Sequence, residues 1–123
     1  MYKGHCYAQP SIRLNWYNAQ MFCRKRNAHL ARVDDKYENH WLAHAFPEKN
    51  WYIDFTDLGD EGVWKSFTFG ERAMYTNWIR DNPSNSGSGE HCAEINCENL
   101  GLWNDVPCHF KLKFVCETFG IIE

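Results

Sequence analysis

The chain of 123 residues lacks several things, and each absence closes a class of function. No stretch approaches the roughly 18 consecutive apolar residues of a membrane-spanning helix, so membrane insertion is not expected. The N-terminus also lacks the basic-then-apolar layout of a secretory leader, which suggests a mature, soluble chain. Basic residues form no stripe, and the net charge is -3, so the electrostatic footprint of a nucleic-acid binder is missing. There is no phosphate-cradling loop and no ordered set of nucleophile, base and orienting group, which argues against an enzyme. No N-x-[ST] sequon occurs, because Asn82-Pro83-Ser84 carries proline at the excluded position.

Cysteine is abundant, yet none of the six falls in a C-x-x-C pair. Six cysteines in so short a chain point to disulfides and an oxidising compartment rather than to zinc. Secretion is the natural expectation. The length fits one domain spanning residues 1 to 123, large enough for a hydrophobic core. Six Trp, six Tyr and eight Phe are many for this length, and in a small domain most of them belong inside.

Taken in order, residues 2 to 12 read as an N-terminal strand. A helix is predicted from Trp16 to Arg26, capped by Asn15, with Trp16, Ala19 and Cys23 on one buried face and Asn27 able to end it. Residues 30 to 33 read as a short strand. A second helix is predicted from Lys36 to Phe46, capped by Asp34 or Asp35 and stopped by Pro47, with Tyr37, Trp41, Leu42, Ala45 and Phe46 as its apolar face. His40 and His44 stand four apart on that helix. The zinc-protease pattern needs Glu after the first His, and Trp41 is there instead, which favours two surface histidines. Residues 51 to 55, and later 110 to 116, read as strands.

The stretch from Trp78 to Cys108 carries the chemistry. It holds a polar loop around Pro83, an acidic residue at Glu90 and the triplet Trp103-Asn104-Asp105, with Cys92 and Cys108 on its two arms. Oxygens gathered on such a loop can hold a hard cation or exchange hydrogen bonds with a polyhydroxylated ligand.

This spacing resembles the C-type lectin domain family. The proline-centred tripeptide is followed by Glu eight residues after its first member, then by Cys two residues later, then by W-N-D and a Cys three residues beyond. The resemblance extends to Gly4-His5-Cys6-Tyr7, to W-x-x-A-x-x-x-C from Trp16, to Asp57, Glu61, Gly62 and Trp64, and to Phe114-Val115-Cys116-Glu117. Tyr75-Thr76-Asn77-Trp78 and Gly89-Glu90-His91-Cys92 are similar to lectins of molluscs. The fold it implies is α+β, two helices on small antiparallel sheets with a long loop region. The disulfides it implies are Cys23 with Cys116 and Cys92 with Cys108. Cys6 and Cys97 are left to pair with each other or to link two chains into a homodimer.

In the same frame the ligand site comprises Asn82, Ser84, Glu90, Asn104 and Asp105, with His91, Trp78 and Trp103 as neighbours able to face a sugar ring. The family tripeptide is Glu-Pro-Asn or Gln-Pro-Asp, so Asn82 and Ser84 depart from it. Two of three usual carboxylates remain, Glu90 and Asp105, which weakens the Ca2+ site that the resemblance implies. The auxiliary calcium position would use Asp57 and Glu61, but His91 and Asn85 stand where further carboxylates belong. The resulting expectation is a glycan-binding lectin of doubtful Ca2+ dependence, leaning to galactose or an N-acetylated hexosamine, with recognition of foreign glycans as its role. A domain that binds a protein surface or a mineral is the alternative.

Overall fold

A computed structural model describes residues 2–79, 83, 89–96 and 101–119. Asn82, Ser84, Asn85 and Cys97 lie outside the described residues. The chain opens with a short strand, β1 (Tyr7–Ala8), well short of the stretch from 2 to 12. Residues before it instead close a tight bridge between Tyr2 and His5, which takes them out of any longer pairing.

Asn15 then accepts a hydrogen bond from the Asn18 backbone N–H at 2.8 Å and starts α1 (Trp16–Arg24). Its buried face is Trp16, Ala19, Gln20 and Cys23. Asn27, at φ +58°, turns the chain into β2 (Ala28–Leu30). Asp35 caps α2 (Lys36–Ala45) by accepting from the Glu38 N–H.

The inward face of α2 differs from the apolar stripe in its sequence. Glu38, Asn39, Leu42 and Ala43 are buried, while Tyr37 and Ala45 are exposed. The reason is that the two polar side chains find buried partners. Glu38 accepts from the Asp34 N–H and the Tyr7 hydroxyl, and Asn39 bonds Trp103 and Gly101.

β3 (Trp51–Thr56) is buried along its whole length. It lies between β4 (Lys65–Ser66) and β5 (Cys92–Ile95), and β6 (Trp103–Val106) pairs with β5. The end of the chain is two strands rather than one. β7 (Lys113–Phe114) runs parallel to β3, whereas β8 (Cys116–Thr118) crosses into the second sheet between β1 and β2. Val115 is the hinge of that switch, and its carbonyl accepts from the Ala31 N–H at 2.9 Å.

Two core clusters result. One gathers Trp16, Tyr52 and Phe114, and the other Trp51, Phe55 and Trp103. Disulfides Cys23–Cys116 and Cys92–Cys108 are both formed, the first tying α1 to β8 and the second tying β5 to the segment after β6. Cys6 is an exposed free thiol, and Cys97 lies outside the described residues.

Candidate functional site

Strands β5 and β6 build the described part of the site. Their register sets Ala93 opposite Asp105 and Glu94 opposite Asn104. Side chains alternate along a strand. Trp103 and Ala93 join one core cluster, Val106 and Cys92 the other. Asn104 and Asp105 therefore leave β6 on opposite faces.

Asn104 donates its Nδ2 to Glu94 Oε2 at 3.0 Å, and Asn50 donates to Glu94 Oε1, also at 3.0 Å. Burial lifts the Glu94 carboxyl above its ordinary range; the two amide donors pull it back, and the charges of Glu90 and Asp105 push it further up. Glu90, Glu94 and Asp105 thus share one field. Asp105 is almost wholly buried and Glu90 half-buried.

Glu94 is the residue that sequence reasoning missed. The alternation of C-A-E-I sets Glu94 on the same face as Cys92, but its place beside Asn104 comes from the β5–β6 register. Asn82 and Ser84 fall outside the described residues, but Pro83 between them lines a hollow of about 280 Å³ together with Val63, Trp64 and Trp78.

Of the three residues named as sugar-facing neighbours, Trp103 is corrected. It is fully buried, stacked on Phe55 at 5.4 Å between centroids and edge-on to Trp78 at 5.5 Å, so it offers no open face. Trp78 is half-buried and tilted against Trp64 at 4.8 Å. His91 is held by Asp57, with Nδ1 2.8 Å from Oδ1.

The donor chemistry of the primary site fits a hard cation. Glu90 and Asp105 supply carboxylate oxygens, and Asn104, its nitrogen turned to Glu94, has a carbonyl oxygen to give. The auxiliary position does not fit calcium. Asp57, Glu61 and His91 converge, with ligand atoms all within 4.8 Å of one another. One of the three is an imidazole already bonded to Asp57, and Asp57 Oδ2 accepts from the Gly62 N–H at 2.9 Å. Calcium takes roughly six to eight oxygens, and this set satisfies its own charge instead. Hydrogen bonding to Asp57 is the first cause that raises the Glu61 carboxyl. His40 and His44 stack on α2 at 4.1 Å, and among the described residues no third metal-ligating side chain joins them.

A mixed fold of two helices on stapled small sheets, with oxygen donors gathered at a cystine-bound strand pair, defines a C-type lectin-like domain. The chain belongs to that family: the model described as the lectin C-type domain matches residues 12–118. C-type lectin domain family 4 member K of Homo sapiens is 34% identical over 119 residues, covering 94% of this chain and 36% of that protein. Perlucin of the mollusc Haliotis laevigata is 36% identical over 122 residues, covering 91% of this chain and 75% of that protein. The chain spans about a third of the human relative's length and most of the abalone one's.

Among solved structures, the carbohydrate-recognition domain of the human scavenger receptor C-type lectin superposes with a TM-score of 0.89 at 28% identity, covering 96% of this chain and 93% of that one. A calcium-independent type II antifreeze protein gives the same TM-score of 0.89 at 18% identity, covering 98% and 91%. That last likeness concerns the fold alone. Proteins of this family are typically binding proteins rather than enzymes, and the family commonly binds Ca2+.

Proposed function

We propose that residues 1 to 123 work as one extracellular carbohydrate-recognition domain that binds glycans through the loop and strand residues Asn82, Ser84, Glu90, Asn104 and Asp105. The observation that carries this reading is the placement of Asn104 and Asp105 on β6 in register with β5, with Glu90 just before β5 and the Cys92–Cys108 disulfide binding that end. Family membership and the likeness to a carbohydrate-recognition domain support it. A Ca2+ ion held by these oxygens would supply positive charge that polarises ligand hydroxyls. Without the ion, the same acceptors bind hydroxyl donors directly, more weakly. The neutral Asn82 amide favours galactose or an N-acetylated hexosamine, and foreign glycans are the targets that such a domain would recognise. Exposed Cys6 provides a point for a disulfide-linked homodimer, which would raise avidity without new contacts.

A column of immobilised galactose tests the reading. Retention released by free galactose supports it, and passage through both galactose and N-acetylgalactosamine columns contradicts it. The second reading, binding to a protein or mineral surface, is favoured by the departure of Asn82 and Ser84 from the family tripeptide. Retention on such a surface, unaffected by sugar, would establish it.

A further inference from the structure

Along α1, Tyr17, Met21 and Arg24 follow one another at helical spacing on the side turned to water. Phe67, just after β4, stands edge-on to Trp16 at 5.2 Å. With Trp16 and Gln20, these residues enclose a hollow of about 430 Å³, within the roughly 300 to 1,000 Å³ of ordinary ligand sites. Tyr17, Met21 and Phe67 are 49%, 55% and 51% exposed, so three large apolar side chains meet water in one place. Trp16 adds no polar atom to the hollow, since its Nε1 donates to the Ile53 carbonyl at 3.1 Å.

The lining has one polar defect. Gln20 is 3% exposed and donates Nε2 to Asp54 Oδ1 at 2.6 Å, while its Oε1 is buried with no hydrogen-bond partner among the described residues. Buried acceptors are nearly always paired, so this one calls for a donor from outside. Asp54 is itself occupied, by Ser66 and Thr68 as well as Gln20. The rim is basic. The first 33 residues hold six Lys and Arg and no Asp or Glu, so all sixteen acidic residues lie beyond Val33. Lys3 and Arg32 are paired with Asp35, Asp34 and Glu71, and Arg26 lies over the Phe22 ring. Arg24 and Lys25 make no ion pair among the described residues.

We propose that this face of α1 docks an acidic segment of a partner protein, with a tryptophan of that segment in the hollow, its indole N–H on Gln20 Oε1 and its neighbouring carboxylates on Arg24 and Lys25. Indole is a donor only and presents a large ring for edge contacts with Trp16 and Phe67. A phenol would bring a further acceptor to satisfy, and a lysine would be repelled by Arg24. The concave shape favours an inserted side chain over a flat lipid surface. None of these residues belongs to the glycan site, so the inference stands apart from that reading.

The test titrates the acetylated, amidated peptide D-E-W-E-D into the isotope-labelled whole chain and follows it by NMR, with thermal melting to confirm that each variant is folded. Wild type is expected to show saturable shifts at Tyr17, Met21, Arg24 and Phe67, weakened by salt. Arg24→Glu, at the exposed rim, is expected to weaken binding about fivefold or more by turning attraction into repulsion. Phe67→Ser is expected to weaken it by about as much, through the lost apolar wall. A peptide whose indole nitrogen is methylated fills the same space without the N–H, and wild type is expected to bind it about fivefold more weakly, the scale of one net hydrogen bond. Folded Gln20→Met is expected to bind both peptides alike.

Absence of saturable shifts on this face at millimolar peptide, or an affinity indifferent to Arg24→Glu, would overturn the docking surface. Equal binding of the methylated peptide by wild type would overturn the anchor on Gln20, and it decides that point without any change to the protein. Adsorption of the chain to phosphatidylserine vesicles, with no response to the peptide, would also overturn the proposal and assign the face to lipid.

Discussion

Trp103 donates its indole N–H to Asn39 Oδ1 at 2.8 Å, joining the middle of α2 to the strand that bears the site. The same asparagine donates to the Gly101 carbonyl at 2.9 Å, so its amide is used at both ends. Gly101 itself sits at φ +72°, and a β-carbon there would come 2.7 Å from Asn39 Nδ2. Asn39→Ala leaves a buried indole N–H without a partner, and its expected cost is about 1 to 3 kcal/mol in chemical denaturation. Gly101→Ala should be destabilising as well, through strain at positive φ and through the lost approach to Asn39.

The two disulfides differ in what they close. Cys23–Cys116 spans 93 residues and Cys92–Cys108 spans 16. In the chain-entropy picture the longer loop is worth about 4 to 5 kcal/mol and the shorter about 3 kcal/mol. Replacing Cys92 and Cys108 together by Ala is expected to lower stability by that smaller amount and to weaken ligand binding as well. Replacing Cys23 and Cys116 is expected to lower stability more while the site residues keep their register. Denaturation curves and galactose retention on the same samples separate the two effects.

Much of this architecture was legible beforehand, and the exceptions share a cause. Helix α1 could be read because Trp16, Ala19 and Cys23 are apolar and fall on one face. The inner face of α2 could not, because its buried polar residues Glu38 and Asn39 are tolerated only through partners far along the chain, Tyr7, Gly101 and Trp103. The split of the last strand at Val115 likewise depends on two sheets competing for one segment, which no local pattern encodes. For the site, Glu90, Asn104 and Asp105 stood out by spacing, whereas Glu94 became visible only once the β5–β6 register placed it beside Asn104. Trp103 stood only as a candidate to face a sugar, since a tryptophan there more often belongs to the core, and an aromatic residue beside a polar pair does not reveal its direction.

Stability should fall as pH rises from about 4 to about 8. Glu117 is buried against Arg32 N–H and within 2.8 Å of His5 Nδ1, and burial pushes its carboxyl up to about 8, with Glu38 and Asp34 adding to the rise. Burial also pushes Asp54 up to about 6, against hydrogen bonds from Ser66, Gln20 and Thr68. A carboxyl raised in the folded state contributes its stability fully below its unfolded value, near 4.5 for Glu and 3.8 for Asp, and loses it as pH climbs through the folded value. Between about pH 4.5 and 8 each unit should cost up to ~1.4 kcal/mol from Glu117. Glu117→Gln should flatten the profile from pH 6 to 9 in denaturant titrations, and an unchanged slope would show that Glu117 ionises normally.

Calcium, where it binds, should do so through the carboxylates at the β5–β6 end. Adding millimolar CaCl2 is expected to raise the melting temperature of wild type, and Asp105→Asn, which keeps the shape but removes the charge, is expected to erase that rise. Asp57→Asn should leave the calcium-induced rise in place, because Asp57 is committed to His91 and the Gly62 N–H.

The most direct measurement is a glycan array probed with the whole chain, once in calcium and once in excess EDTA. The account predicts signals on galactose-type or N-acetylhexosamine glycans in calcium, weakened but not abolished by EDTA, and lost in both conditions when Glu90 and Asp105 are replaced together by Ala. Silence of the folded wild-type chain in both conditions would contradict it and turn attention to protein or mineral surfaces.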